Sequence, residues 1–249
     1  MQKGDTMQYK HLIFDLYGTL VDIHTDEDAP LVWQKMALLY GYYGTRYTQE
    51  SLRDAYLKAL QAQNACAGQS YEGYPDLPIE PVFAGLFTGV ESAEAVSLGA
   101  IAARFFRALS TEYIRLYPGV KEALEALRKA GYKLYLLSNA QAAYTAQELC
   151  LLELTPCFDA IYLSSDYACR KPDARFFKAL LDGQQLAPET CLMIGNDATT
   201  DIAGARALGI DTLYLHTNLS PACEGNPATW RLDETDWNRI LPELLSICK

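Results

Sequence analysis

Residues 12–22 read LIFDLYGTLVD. An apolar run closes at Phe14, a carboxylate follows at Asp15, Tyr17 stands two places on, and the chain turns at Gly18-Thr19. A buried strand that ends in a carboxylate needs a reason, and in an open parallel sheet ligands sit beyond the carboxyl ends of the strands. Working outward, HLIF (11–14) has four counterparts: YKLYLLS (132–138), AIYLSS (160–165), TCLMIG (190–195) and DTLYLH (211–216). They lack the alternation of a half-exposed sheet and so predict a parallel sheet covered on both faces. Helical patterns separate the later runs, as in GVKEALEALRKAGY, which Gly131 terminates. Strand and helix alternating over 118–216 predict a doubly wound α/β core, Rossmann-like in class.

Between the first strand and this run lies a stretch of other character. Residues 28–63 predict two helices, the second started by a cap at Thr48–Ser51, and residues 91–114 predict a third. AGQSYEGYPDLPIEP between them reads as a loop. The expected organisation is a core of 1–21 and 115–249 with an inserted α-helical cap domain over 22–114.

Composition excludes several partners. Of 249 residues half are hydrophobic and 21% charged, with a formal net charge of −10. A chain this acidic is repelled by nucleic acid and by anionic membrane surfaces, and its densest basic spot is only Arg170-Lys171. Seven scattered cysteines without a CxxC read as reduced thiols. With no apolar leader segment and no run of about eighteen apolar residues, the expectation is a soluble, cytoplasmic protein.

The strand ends carry the chemistry. The first ends in Asp15, the second in Ser138-Asn139; Arg170-Lys171-Pro172 follows the third, and the fourth runs into GNDATTD with Asn196, Asp197 and Asp201. Any one such acid is ordinarily a helix cap; four ends together converge a nucleophile-like carboxylate, a hydroxyl, a lysine and further acids. Carboxylates crowded at one rim repel each other unless a cation neutralises them. Lys171 supplies one charge, and Mg²⁺, a hard ion that takes oxygen ligands, is expected to supply the rest and to suit a small phosphorylated substrate.

FDLYGTLVD, LLSNA, CRKPDARFF and IGNDATTDIAGA resemble, in order and spacing, the four motifs of the haloacid dehalogenase-like hydrolase superfamily, in the subfamily with a small helical cap after the first motif. The resemblance covers nearly the whole chain. It implies Asp15 as a nucleophile that forms an aspartyl intermediate, Ser138 as a hydrogen-bond donor to the transferring group, and Lys171 as the cation that holds the charges together. It also implies a phosphate cradle from the amides of Gly18 and Thr19, with Asn139 beside it. Mg²⁺ would be held by Asp15, the Tyr17 carbonyl and the acidic cluster. In that cluster the ligand beside Asp201 is Asp197 or Asn196, the greater charge favouring Asp197.

Two departures complicate the implied phosphatase. Tyr17 stands where such enzymes carry a second aspartate as acid–base, and a phenol with a pKa of ~10 is a poor base at neutral pH. Metal-independent 2-haloacid dehalogenases, which share YGT after the nucleophile, are the alternative, since halide leaves without a proton; a catalytically silent ligand-binding relative is another. The acidic fourth motif pulls back towards metal-dependent chemistry. Arg46 stands about where a dehalogenase arginine would, but its neighbours fit a solvated helix start better. His24 is a conceivable proton donor, although a lone histidine near a linker is ordinarily solvated. Asp22, Asp26, Glu27 and Asp28 are read as favouring the start of the first cap helix, and the tyrosines of LYGYYG as packing between cap helices.

Overall fold

The computed structural model describes residues 8–70, 73–223, 225 and 228–249, with 66–70 described by their backbone alone. A six-stranded sheet, parallel throughout, runs in the order β5-β4-β1-β6-β7-β8. Its members are β1 (His11–Phe14), β4 (Lys133–Ser138), β5 (Ala160–Leu163), β6 (Cys191–Gly195), β7 (Asp211–Leu215) and β8 (Trp230–Leu232). The five expected strands are all present, and the edge strand β8 is added.

Alternation along β1 shows why both faces are covered. Leu12 and Phe14 enter one core with α5 (Val120–Lys129), α6 (Ala142–Leu151) and α10 (Trp237–Ile247), whereas Ile13 enters another with α8 (Ala174–Gln184) and α9 (Ala203–Arg206). Each such side chain, fully removed from water, contributes about 1.5–3 kcal/mol. The short helix α7 (Ser164–Tyr167) follows β5.

The helical segment is α1 (Pro30–Tyr42), α2 (Gln49–Ser70), α3 (Glu80–Ala84) and α4 (Ser92–Ser110). Pro30 opens α1, where its missing N–H costs nothing. Thr48 and Ser51 cap α2 reciprocally, side chain to backbone N–H in both directions. These helices bury their own aromatic core of Trp33, Tyr40, Tyr56, Phe83 and Phe106. Tyr40 packs on Phe87, in the loop after α3, with centroids 4.2 Å apart, whereas Tyr42 is 76% exposed, so packing accounts for only part of the tyrosine run. No helix among the described residues is long and apolar enough to cross a membrane. The six cysteines with described side chains are unpaired.

Three expectations are corrected. The third cap helix stops at Ser110, and Thr111–Leu116 is instead β3, antiparallel to β2 (Val21–Thr25). The supposed loop over 67–81 starts inside α2 and ends inside α3. Asp22 does not favour a helix start: it lies on β2 opposite Arg115 of β3, accepts from that guanidinium at 2.7 and 2.9 Å, and also accepts from Asn218. Asp28 pairs with Arg53 of α2, and the first turn of α1 holds no acid.

Candidate active site

β4, β1 and β6 are neighbours, so Ser138, Asp15 and Asn196 emerge side by side at one rim. Asp15 is tied to the sheet by its amide, which donates to Ile194 O at 2.9 Å. The turn behind it is buttressed from the C-terminal part of the chain. Thr217 Oγ1 donates to Gly18 O at 2.8 Å and Trp237 Nε1 to Thr19 O at 3.1 Å.

Gly18 has φ +83°, and a Cβ built on it would lie 2.1 Å from Asn196 Nδ2. Glycine is therefore required twice over, by conformation and by the approach of the fourth motif. Gly195 makes room likewise, since a Cβ there would meet Asp201 Oδ2 at 2.3 Å.

Lys171 is the hub. Its side chain is 1% exposed, and Nζ lies 2.7 Å from Asp15 Oδ1, Leu137 O and Asp201 Oδ1 alike. All three are charge-assisted contacts, so Asp15 and Asp201 share the one ammonium. Asp201 Oδ2 accepts from the Asp197 amide at 3.0 Å. Burial pulls the Lys171 pKa down, but the charges of Asp15 and Asp201 overturn this and hold it above the ordinary value. Burial, reinforced by Asp15, raises the Asp201 pKa against the pull of Lys171. Two carboxylates thus oppose a single cation.

Ser138 Oγ is buried with no hydrogen-bond partner. Such an orphan hydroxyl costs stability unless a ligand takes its proton. Thr19 Oγ1 lies 3.3 Å from both Asp15 Oδ2 and Asn196 Oδ1.

Among the described residues no three His, Cys, Asp or Glu side chains form a metal-binding group. The donor set is instead two carboxylates and the Asn196 carboxamide, all oxygen and all buried, with one lysine against the two acids. That chemistry fits a hard divalent cation rather than a soft one.

Other expected site residues have different partners. Asn139 clamps the backbone of Lys171, donating to its carbonyl at 3.0 Å and accepting from its amide at 2.8 Å. Asp197 Oδ1 caps the following turn, accepting from Thr199 N, Thr199 Oγ1 and Thr200 N. The Gly18 and Thr19 amides donate within their own turn, to Val21 O and Leu16 O, and are not free for a phosphate. His24 sits on β2 with a half-exposed ring beside Glu112, and Arg46 is exposed; neither lines the cavities at Asp15.

Tyr17 is tied into a network that no sequence pattern announced. Its hydroxyl donates to Glu148 Oε2 and lies 3.0 Å from Thr145 Oγ1, both on α6. Glu148 in turn accepts from Arg107 of α4 at 2.6 Å, with both side chains nearly buried. Burial, then the Glu148 charge, pushes the Tyr17 phenol well above its ordinary range. Tyr17 therefore keeps its proton.

Two cavities meet here. The inner one, about 170 Å³, is bounded by Asp15, Ser138, Lys171, Asn196 and Asp201. The outer one, about 350 Å³, shares Tyr17 and Asn139 with it and is closed by Asp76, Arg107, Tyr144 and Arg170. A larger groove of about 560 Å³ on the far side of the Arg107–Glu148 pair does not reach Asp15.

A family model described as haloacid dehalogenase-like hydrolase matches residues 9–209. The pyrimidine 5'-nucleotidase PynA of Streptococcus pneumoniae is 28% identical over 234 residues, covering 88% of this chain and 91% of that protein. A glyceraldehyde 3-phosphate phosphatase of Methanothermobacter thermautotrophicus is 27% identical, covering 86% and 88%. Among solved structures, a 2-haloacid dehalogenase from Pseudomonas syringae pv. Tomato superposes with a TM-score of 0.66 at 20% identity, covering 96% of this chain and 99% of that one. At that identity the likeness is one of fold.

Proposed function

Because the chain belongs to the haloacid dehalogenase-like hydrolase family, we propose that it hydrolyses a small phosphate monoester by attack of Asp15, with Mg²⁺ as cofactor. The observation that carries this reading is the charge imbalance at the strand ends. Asp15 and Asp201, both buried, face one lysine, each with an oxygen 2.7 Å from its Nζ. Such a centre repels a phosphate dianion unless a cation intervenes. Asp15, Asn196 and Asp201, with the Tyr17 carbonyl, are the oxygens that would hold Mg²⁺. Asn196 is preferred to Asp197, whose carboxylate caps a turn. When bound, the ion draws charge from a phosphoryl oxygen. The phosphatase names of the two relatives support the same chemistry.

Lys171 fixes Asp15 Oδ1, so Oδ2, which has only the 3.3 Å contact from Thr19, is the attacking oxygen. It bonds to phosphorus as the ester P–O bond breaks and the alcohol oxygen departs with the electron pair. Ser138 Oγ donates to a phosphoryl oxygen, which satisfies its orphan hydroxyl. Water then attacks phosphorus, the aspartyl P–O bond breaks, and phosphate and free Asp15 result.

Tyr17 serves neither step as acid or base, because its proton is held by Glu148. The leaving oxygen takes its proton from solvent, and a well-placed acid–base worth roughly 10²–10⁴ in rate is missing. Slow turnover, a preference for good leaving groups and an accumulating aspartyl phosphate follow. In this reading residues 22–114 form a cap over a core of 1–21 and 115–249, and close the outer cavity with Arg107 and Asp76. The locked Tyr17 proton also favours a second reading, hydrolytic dehalogenation, in which the leaving group needs none. Phosphate release from an aryl phosphate, with Mg²⁺ and with EDTA, separates the two. The first reading requires Mg²⁺-dependent phosphate release that Asp15→Asn abolishes.

A further inference from the structure

The outer cavity has one charged group, Arg170, without a side-chain ion pair or hydrogen bond among the described residues; its charge acts on the Asp76 carboxylate of the same wall. Several of its other polar walls are engaged within the fold. Asn139 is engaged by the Lys171 backbone. Gln141 donates to Asp76 Oδ1 and Leu77 O and accepts from the Ile79 amide. Asp76 also accepts from Ser164 Oγ. Arg107 is held by Glu148 and packs over the Tyr144 ring at 4.8 Å.

Among the charged groups of the wall, Arg170 alone has a side chain with no ion pair and no hydrogen bond to any described residue. Its backbone is nevertheless fixed. The Arg170 amide donates to Tyr74 O at 2.9 Å and the Asp76 amide to Ala168 O at 3.3 Å, so the segment from the helical insertion and the core loop pin each other. Arg170 also directly precedes Lys171, whose Nζ contacts Asp15. An exposed guanidinium thereby springs from a fixed backbone one residue from the clamp on the nucleophile, at the wall of the cavity that opens from it.

We propose that Arg170 is a specificity-determining residue that binds a second anionic group of the substrate, and that the substrate class is phosphate esters of short carboxylic acids. This rests on the phosphohydrolase reading above. With the phosphoryl group in the inner cavity, the remainder of the molecule enters the outer one. There the charged group without an ion pair is a planar fork suited to a carboxylate.

The test is steady-state phosphate release by the full chain with Mg²⁺ on matched esters. O-phosphoserine is set against O-phosphoethanolamine and 2-phosphoglycolate against ethyl phosphate, each pair differing by the carboxylate, with a pyrimidine 5'-nucleotide and an aryl phosphate alongside. The carboxylates are expected to exceed their partners in kcat/KM by about tenfold or more. Arg170→Gln should collapse that ratio about tenfold, through KM rather than kcat, and Arg170→Lys should restore part of it. Equal kcat/KM within each pair overturns the proposal, as does a loss in Arg170→Gln that falls on both members alike, or a preference for the nucleotide. Those outcomes leave the phosphohydrolase reading standing. Failure to release phosphate even from the aryl ester overturns that reading, and this proposal with it.

Discussion

Replacing Glu148 with glutamine removes the charge that holds Arg107 and Tyr17 together. Arg107 Nε is 2.6 Å from Glu148 Oε1, and the two side chains are 13% and 12% exposed. Breaking a buried pair by removing one partner costs about 3–5 kcal/mol. The Tyr144 ring lies 4.8 Å from the guanidinium before and after the substitution and cancels in the difference, but the glutamine carbonyl still accepts a hydrogen bond, which returns about 1 kcal/mol. The net loss should be about 2–4 kcal/mol. With a urea slope of about 3 kcal/mol/M, the unfolding midpoint should fall by about 1 M. Urea titration of the wild type, Glu148→Gln, Arg107→Met and the double variant Arg107→Met/Glu148→Met measures both the loss and the coupling. Replacing both members with apolar side chains should cost less than the sum of the single losses, with a coupling of about 2 kcal/mol. A midpoint shift below about 0.3 M in Glu148→Gln, or strictly additive single losses, would refute the reasoning that this pair fastens α4 to the core.

Ser138→Ala should separate stability from function. Deleting a buried hydroxyl that has no partner should leave the thermal midpoint unchanged or raise stability by about 1 kcal/mol, while phosphate release falls about 10²-fold. Gly18→Ala should stay folded yet lose roughly 1–3 kcal/mol to the positive φ. The displacement of Asn196 should lower its activity at least about 10²-fold, read by the same two assays. For Asp22, burial opposes ionisation, but hydrogen bonds from Asn218, Arg115 and Tyr113 prevail and hold the pKa below its ordinary 3.8. A depressed folded pKa means the stabilisation is present above that pH and is lost as pH falls through the folded value. Asp22→Asn should therefore destabilise at neutral pH and flatten the acid limb of a stability-against-pH curve. An unchanged acid limb would contradict this.

What the sequence disclosed follows from range. Strands β1, β4, β5, β6 and β7 were legible because each is a short apolar run whose burial on both faces needs no partner to be seen, and Asp15, Ser138 and Lys171 because they end or follow such runs. The β2–β3 ladder was not, since its pairing joins residues some ninety positions apart and TEYIRL continues without a break from a strong helical pattern. The Tyr17–Glu148–Arg107 network was hidden for the same reason: Glu148 is one polar residue on a helix and nothing local ties it to Tyr17. Asn139 reads as a ligand-facing amide until the Lys171 backbone is seen beside it. The capping role of Asp197 was visible in principle, because an aspartate just before a helical pattern is a common N-terminal signal, but the charge argument for a metal ligand outweighed it.

The most direct test of the central claim compares phosphate release from an aryl phosphate by the wild type and Asp15→Asn, each with Mg²⁺ and with EDTA, alongside halide release from a 2-haloacid. The account predicts phosphate from the wild type with Mg²⁺ alone and none from Asp15→Asn. Halide release that EDTA leaves untouched, with no phosphate from any ester, would contradict it.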